Sequence, residues 1–151
     1  MVKTRSRADI TTFSVTLMYA GLMPFGGGLV CLLLDLAYIP VLGETSKVIC
    51  IYGLIIATFI LGSQWGLHLF LPRHGLCLCI LSNALAIGLW LGFLVFEAKS
   101  VLFLLGIVFM ICLAVEWRLF AAGKISAAYF KSRSIVTILA TISLVVSGIL
   151  T

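Results

Sequence analysis

The stretch VICIYGLIIATFILGSQWGLHLFL, residues 48–71, runs for 24 positions without an Asp, Glu, Lys or Arg. At about 1.5 Å of rise per residue a helix of that length is about 36 Å long, enough to cross a hydrocarbon core of about 30 Å. Four further stretches have similar character, at about 12–34, 76–96, 101–120 and 135–150, the last of them short. The connections are brief except between the fourth and fifth stretches, so no soluble domain is inserted. Composition agrees. Of 151 residues, 63 % are hydrophobic and 10 % charged, with a mean hydropathy of +1.28. An ordinary soluble domain has about 45–50 % apolar and about 25 % charged residues. A chain this apolar lacks the polar surface of a soluble enzyme. Its few, dispersed basic residues also exclude intrinsic disorder and nucleic-acid binding. The expected fold is all-α: one polytopic integral membrane helical bundle of five transmembrane helices spanning residues 1–151.

Charge gives the orientation. Lys3, Arg5, Arg7, Arg73, Arg118, Lys124, Lys131 and Arg133 fall on one side of a five-span arrangement, and only Lys47 and Lys99 on the other. The positive-inside rule then places the N-terminus in the cytoplasm or mitochondrial matrix and the C-terminus outside. The localisation expected is multi-pass, in a bacterial cytoplasmic membrane or the mitochondrial inner membrane. The basic start resembles a signal peptide's n-region, yet its apolar stretch is too long and no A-x-A-like site follows, which argues for a retained span. The five cysteines, Cys31, Cys50, Cys77, Cys79 and Cys112, all lie in apolar stretches without metal-ligand spacing and read as small packing residues.

Polar groups within a span are costly unless satisfied, so they mark where function is sought. By depth, Tyr19, Gln64, His68, Asn83 and Glu116 form one layer on the cytoplasmic side, with Arg118 at its edge and Trp65 beside it. One reading is a ligand-binding cavity in which His68 titrates and Glu116 partners it. The other is plain interhelical hydrogen bonding. Pro24, followed by Phe25 and then Gly26, Gly27 and Gly28, predicts a bend in the first span, filled by a neighbouring helix or exposing backbone to a ligand. Gly62 and Gly66, and Gly88 and Gly92, recur at four-residue spacing and predict close helix packing, within the chain or between subunits. The segment 117–133 mixes aromatic and aliphatic residues with Arg118, Lys124, Lys131 and Arg133. It reads as a basic interfacial loop or short helix whose cations meet anionic lipid head groups.

Two blocks resemble a known family. Tyr19-Ala20-Gly21-Leu22-Met23-Pro24-Phe25 is similar to the Y-A-G-L-I-P-F segment of the transmembrane protein 69-like family (domain of unknown function 3429). Tyr52-Gly53 followed by Phe59-Ile60-Leu61-Gly62-Ser63-Gln64-Trp65-Gly66 is similar to its Y-G…F-L-G-G-x-H-W-G block. A weaker echo lies at Tyr129 and from Arg133 to Thr137. The chain departs from the pattern at Gln64, where the family carries His, and a His appears one turn later as His68. The resemblance implies a small inner-membrane protein, in a family whose molecular activity is uncharacterised.

No nucleophile–base pair, phosphate loop or metal constellation is present, and this points away from an enzyme. Three functions follow. The first is a non-enzymatic scaffold or accessory subunit that binds lipid or partner helices, as a homo-oligomer or within a larger membrane complex. The second is a small oligomeric carrier or proton-linked channel built on Gln64, His68 and Glu116. The third is a quinone- or haem-associated membrane protein. No cofactor is required by the first two.

Overall fold

The computed structural model describes residues 15–70 and 75–151, with the side chains of His68 and Phe70 left out. The basic residues Lys3, Arg5, Arg7 and Arg73 lie outside that range. Five helical stretches are long and apolar enough to span a membrane: Val15–Leu33, Thr45–Gly66, Gly75–Val95, Ala98–Ala121 and Ala127–Leu150.

The first is broken where the sequence predicts a bend. Residues 15–20 (α1) are helical, Gly21 and Leu22 form a turn, and α2 runs over Met23–Leu33 with Pro24 in its first turn. Proline is well placed there, because the N–H it lacks has no partner in a first helical turn. The α2 helix ends in a Schellman turn: the Leu36 N–H bonds the Cys31 carbonyl at 2.9 Å and the Asp35 N–H bonds Leu32 at 3.1 Å. Asp35 takes the left-handed position, φ 55°, that this turn demands. A short hairpin of two-residue strands follows, β1 (Tyr38–Ile39) antiparallel to β2 (Gly43–Glu44), with Tyr38 opposite Glu44. Thr45 then starts α3, its N–H on the Ala37 carbonyl at 2.9 Å and its hydroxyl on Leu36 at 2.6 Å.

The α3 helix (Thr45–Gly66) passes through a 3₁₀ segment, Leu67–Phe70, towards α4 (Gly75–Val95), and α5 (Ala98–Ala121) returns. The α5–α6 connection corrects an expectation. Of residues 117–133, expected as an interfacial loop or short helix, only 122–126 lie outside the two long helices: α5 continues to Ala121 and α6 (Ala127–Leu150) begins well before Ile135. A tight turn joins them. Gly123, at φ 69°, provides a second Schellman turn, with Gly123 N–H on Phe120 and Lys124 N–H on Leu119, both at 2.9 Å. Ser126 caps α6 by accepting the Tyr129 N–H at 3.3 Å. The rings of Phe120 and Phe130 stack at 4.8 Å across the turn. The last span is therefore a full-length helix.

The α5 and α6 helices form the most extensive pair, and α3 packs on both α4 and α5. The core lies where α2, α3, α5 and α6 converge, on Phe25, Ile49, Leu61, Leu105, Phe109 and Leu144. Missing side chains permit the approach: a Cβ on Gly28 would stand 2.5 Å from Ile49 Cγ1, and one on Gly53 would stand 2.8 Å from Leu105 Cδ1.

Candidate functional site

The antiparallel α5–α6 turn brings Glu116 back onto Arg133. The Arg133 Nε donates to both carboxylate oxygens of Glu116 at 3.1 Å, and the two side chains are 12 % and 8 % exposed. A buried charge is stable only when paired, so each residue accounts for the other. Tyr129 and Thr137 lie one helical turn to either side of Arg133 on the same face of α6. These side chains form the polar end of a cavity of about 370 Å³. Ser63 of α3 adds a hydroxyl to the wall. Away from that end the cavity is apolar, floored by buried Phe25, Ile60, Phe109 and Ala140. Leu17 of α1 and Phe59 of α3, 56 % and 76 % exposed, form its outer edge.

The helix break shapes the inner wall. The Tyr52 hydroxyl donates to the Gly21 carbonyl at 3.0 Å, and the Ser143 hydroxyl donates to the Phe25 carbonyl at 2.9 Å. Two helices thus supply donors to backbone around the bend, where regular helical bonding is interrupted. Phe25 meets Tyr52 edge-on at 5.0 Å and Phe109 at 6.0 Å. The two blocks of the family resemblance, at Gly21–Phe25 and Tyr52–Gly53, therefore touch directly. The Pro24 bend is filled by neighbouring side chains at its backbone, while among the described residues nothing lies within 4 Å of a Cβ built on Gly26 or Gly27.

The expected polar layer is divided among separate interfaces. Gln64 is buried between α3 and α5, where its Nε2 donates to the Cys112 carbonyl at 3.1 Å. Trp65 and Asn83 flank a small recess between α3 and α4, and the Asn83 amide donates to its own helix at Cys79, 2.9 Å away. Tyr19 is 40 % exposed and does not line the cavity. His68 lies on the 3₁₀ segment with its side chain outside the described residues. Of the five whose side chains are described, only Glu116 faces the cavity, and its carboxylate is held by Arg133.

The basic residues divide likewise. Arg118, Lys124 and Lys131 are exposed, but Arg133, expected to meet lipid head groups, is ion-paired inside the protein. Of the glycine stripes, Gly92 approaches α5, where a Cβ would stand 2.6 Å from Leu104 Cδ2. Among the described residues, no neighbouring atom lies within 4 Å of a Cβ built on Gly62, Gly66 or Gly88.

Sequence reading missed Tyr52, Ser63, Tyr129 and Thr137 as parts of the site. The signal was present for two of them: Tyr129, Arg133 and Thr137 repeat every four residues, which marks one helix face. Among the described residues no group of three or more His, Cys, Asp or Glu could hold a metal ion.

No curated protein and no solved structure matches the chain. The model of a family of proteins of unknown function, DUF3429, matches residues 10–149. The bent first span, its Tyr52 clamp and the α6 face that closes the cavity all fall inside that match, and the chain belongs to the DUF3429 family.

Proposed function

We propose that this chain is a non-enzymatic integral membrane protein, a scaffold or accessory subunit, that holds a membrane amphiphile in the cavity between α1, α3, α5 and α6. The observation that carries this reading is the cavity's gradient. An ion pair and hydroxyls stand at one end and aromatic and aliphatic side chains at the other, beside exposed lipid-facing residues. That pattern fits a head group and a tail. An active site would need a nucleophile or a base free to act, whereas Glu116 and Arg133 satisfy each other. The charge distribution of the sequence supports a polar end towards the cytoplasm or matrix. Exposed Arg118, Lys124 and Lys131 at the same end of α5 and α6 would draw anionic head groups at about 1 kcal/mol each.

The test uses the full chain in native-like membranes and a photoactivatable fatty-acid probe. Crosslinks are expected to concentrate on cavity residues of α1, α3 and α6 and to fall at least fivefold in Ser63→Trp, which fills the cavity from an exposed position. Labelling spread evenly over all lipid-facing helices, and unchanged in Ser63→Trp, would overturn the reading.

A further inference from the structure

The polar end of the cavity restricts the head group it can hold. Glu116 and Arg133 cancel in charge, and both carboxylate oxygens are already taken by the Arg133 Nε. A phosphate or carboxylate head reaching Arg133 would stand beside the Glu116 carboxylate, a like charge at close range in a poorly solvated site. An uncharged acceptor suffers no such repulsion. Donors for it are at hand, because a guanidinium has five N–H groups and Nε uses only one. The Tyr129 hydroxyl adds one more on the same wall, where the Ser63 hydroxyl already donates to the Ile60 carbonyl at 2.7 Å.

The remaining surface favours a flat ring. Phe25, Phe59, Phe109 and Tyr129 all line the cavity, and aromatic faces and edges pack well against a conjugated ring. Size agrees. At about 370 Å³ the cavity is near the lower end of ligand sites, which run from about 300 to 1,000 Å³. One ring and the first part of one tail fit such a space, with the rest of the tail leaving past Leu17 and Phe59 into the bilayer.

Resting on the amphiphile-binding function proposed above, we infer that the cavity between α1, α3, α5 and α6 binds a single-tailed amphiphile with an uncharged, carbonyl-bearing ring head, the chemistry of an isoprenoid quinone. Only binding is proposed; no electron transfer is required of the protein.

The experiment compares three single-tailed probes on the purified full chain in mild detergent: a benzoquinone with a ten-carbon alkyl tail, lysophosphatidylglycerol and oleate. Native mass spectrometry and thermal shift read occupancy. The quinone is expected to saturate at one per chain, with a Kd at least tenfold below that of either anionic probe. Ser63→Trp should abolish this saturation. Glu116→Gln keeps the side chain's shape and an acceptor for Arg133 but leaves the cation uncompensated, so it should invert the preference towards oleate. Tighter binding of oleate or lysophosphatidylglycerol to the native chain would overturn the head-group inference and leave the proposed function standing. Failure of all three probes to saturate, with Ser63→Trp behaving as the native chain does, would overturn both.

Discussion

The α4 and α5 helices are similarly apolar and differ by three residues in length, yet they occupy opposite situations. Of the most apolar part of α5, 39 % is buried within the chain; for α4 the figure is 17 %. The α5 helix buries Leu102, Leu105, Val108 and Phe109, whereas α4 buries Gly75, Ser82, Leu89 and Gly92. Hydrophobicity does not separate them, because lipid tails are as apolar as leucine and reward neither arrangement. What separates them is fit and polar pairing. The α5 helix contributes Glu116 to an ion pair with α6, offers the Cys112 carbonyl to Gln64, and meets glycines on α3 and α6.

The comparison can be broken most severely at the ion pair. Arg133→Ala strands the Glu116 carboxylate in a site with little solvent, and loss of one partner of a buried pair costs about 3–5 kcal/mol. Unfolding in a detergent titration should report a loss of that size. Glu116→Leu combined with Arg133→Leu should recover most of it, because an apolar pair of similar volume removes both unpaired charges. If the double variant were as unstable as the single one, the pair would matter for its geometry rather than its charge. A smaller loss is expected where α2 meets α3. Gly28→Ala sets a methyl 2.5 Å from Ile49 Cγ1, and Ile49 is only 2 % exposed, so it has little room to move. Overpacking of this kind costs about 1–3 kcal/mol. Ile49→Ala in the same chain should offset part of the Gly28→Ala loss; additive losses would place the strain elsewhere.

The five spans could be read from length and apolarity, because a bilayer imposes both on any helix that crosses it. The bend at Pro24 was legible for a local reason, the N–H that proline lacks. The donors that bind the backbone around it were not, since Tyr52 and Ser143 lie 31 and 118 residues along the chain from their acceptors. The polar layer was inferred from depth along the spans, which says nothing of direction. Gln64 and Trp65 share a depth, but successive residues on a helix diverge by about 100°, so one enters the α3–α5 interface and the other borders α4. Arg133 misled for the same reason. In sequence it sits in a basic run near the membrane surface, and only the α5–α6 turn reveals that Glu116, 17 positions earlier, is its partner.

The smallest effect belongs to α4 and the α3 face beside it, and it sharpens the comparison most. No atom of the described chain lies within 4 Å of a Cβ built on Gly62 or Gly88. Gly62→Ala and Gly88→Ala therefore create no clash among the described residues, while alanine is favoured over glycine inside a helix by about 1 kcal/mol. Each variant should unfold within about 1 kcal/mol of the native chain, on the stable side if on either, in the detergent titration used for Gly28→Ala. A tight position at Gly28 and loose ones at Gly62 and Gly88 would then follow from contacts inside one chain. A loss as large as that of Gly28→Ala would mean instead that a surface from another molecule closes on these glycines. Helix α4 would then be a covered interface like α5, packed against a partner rather than against lipid.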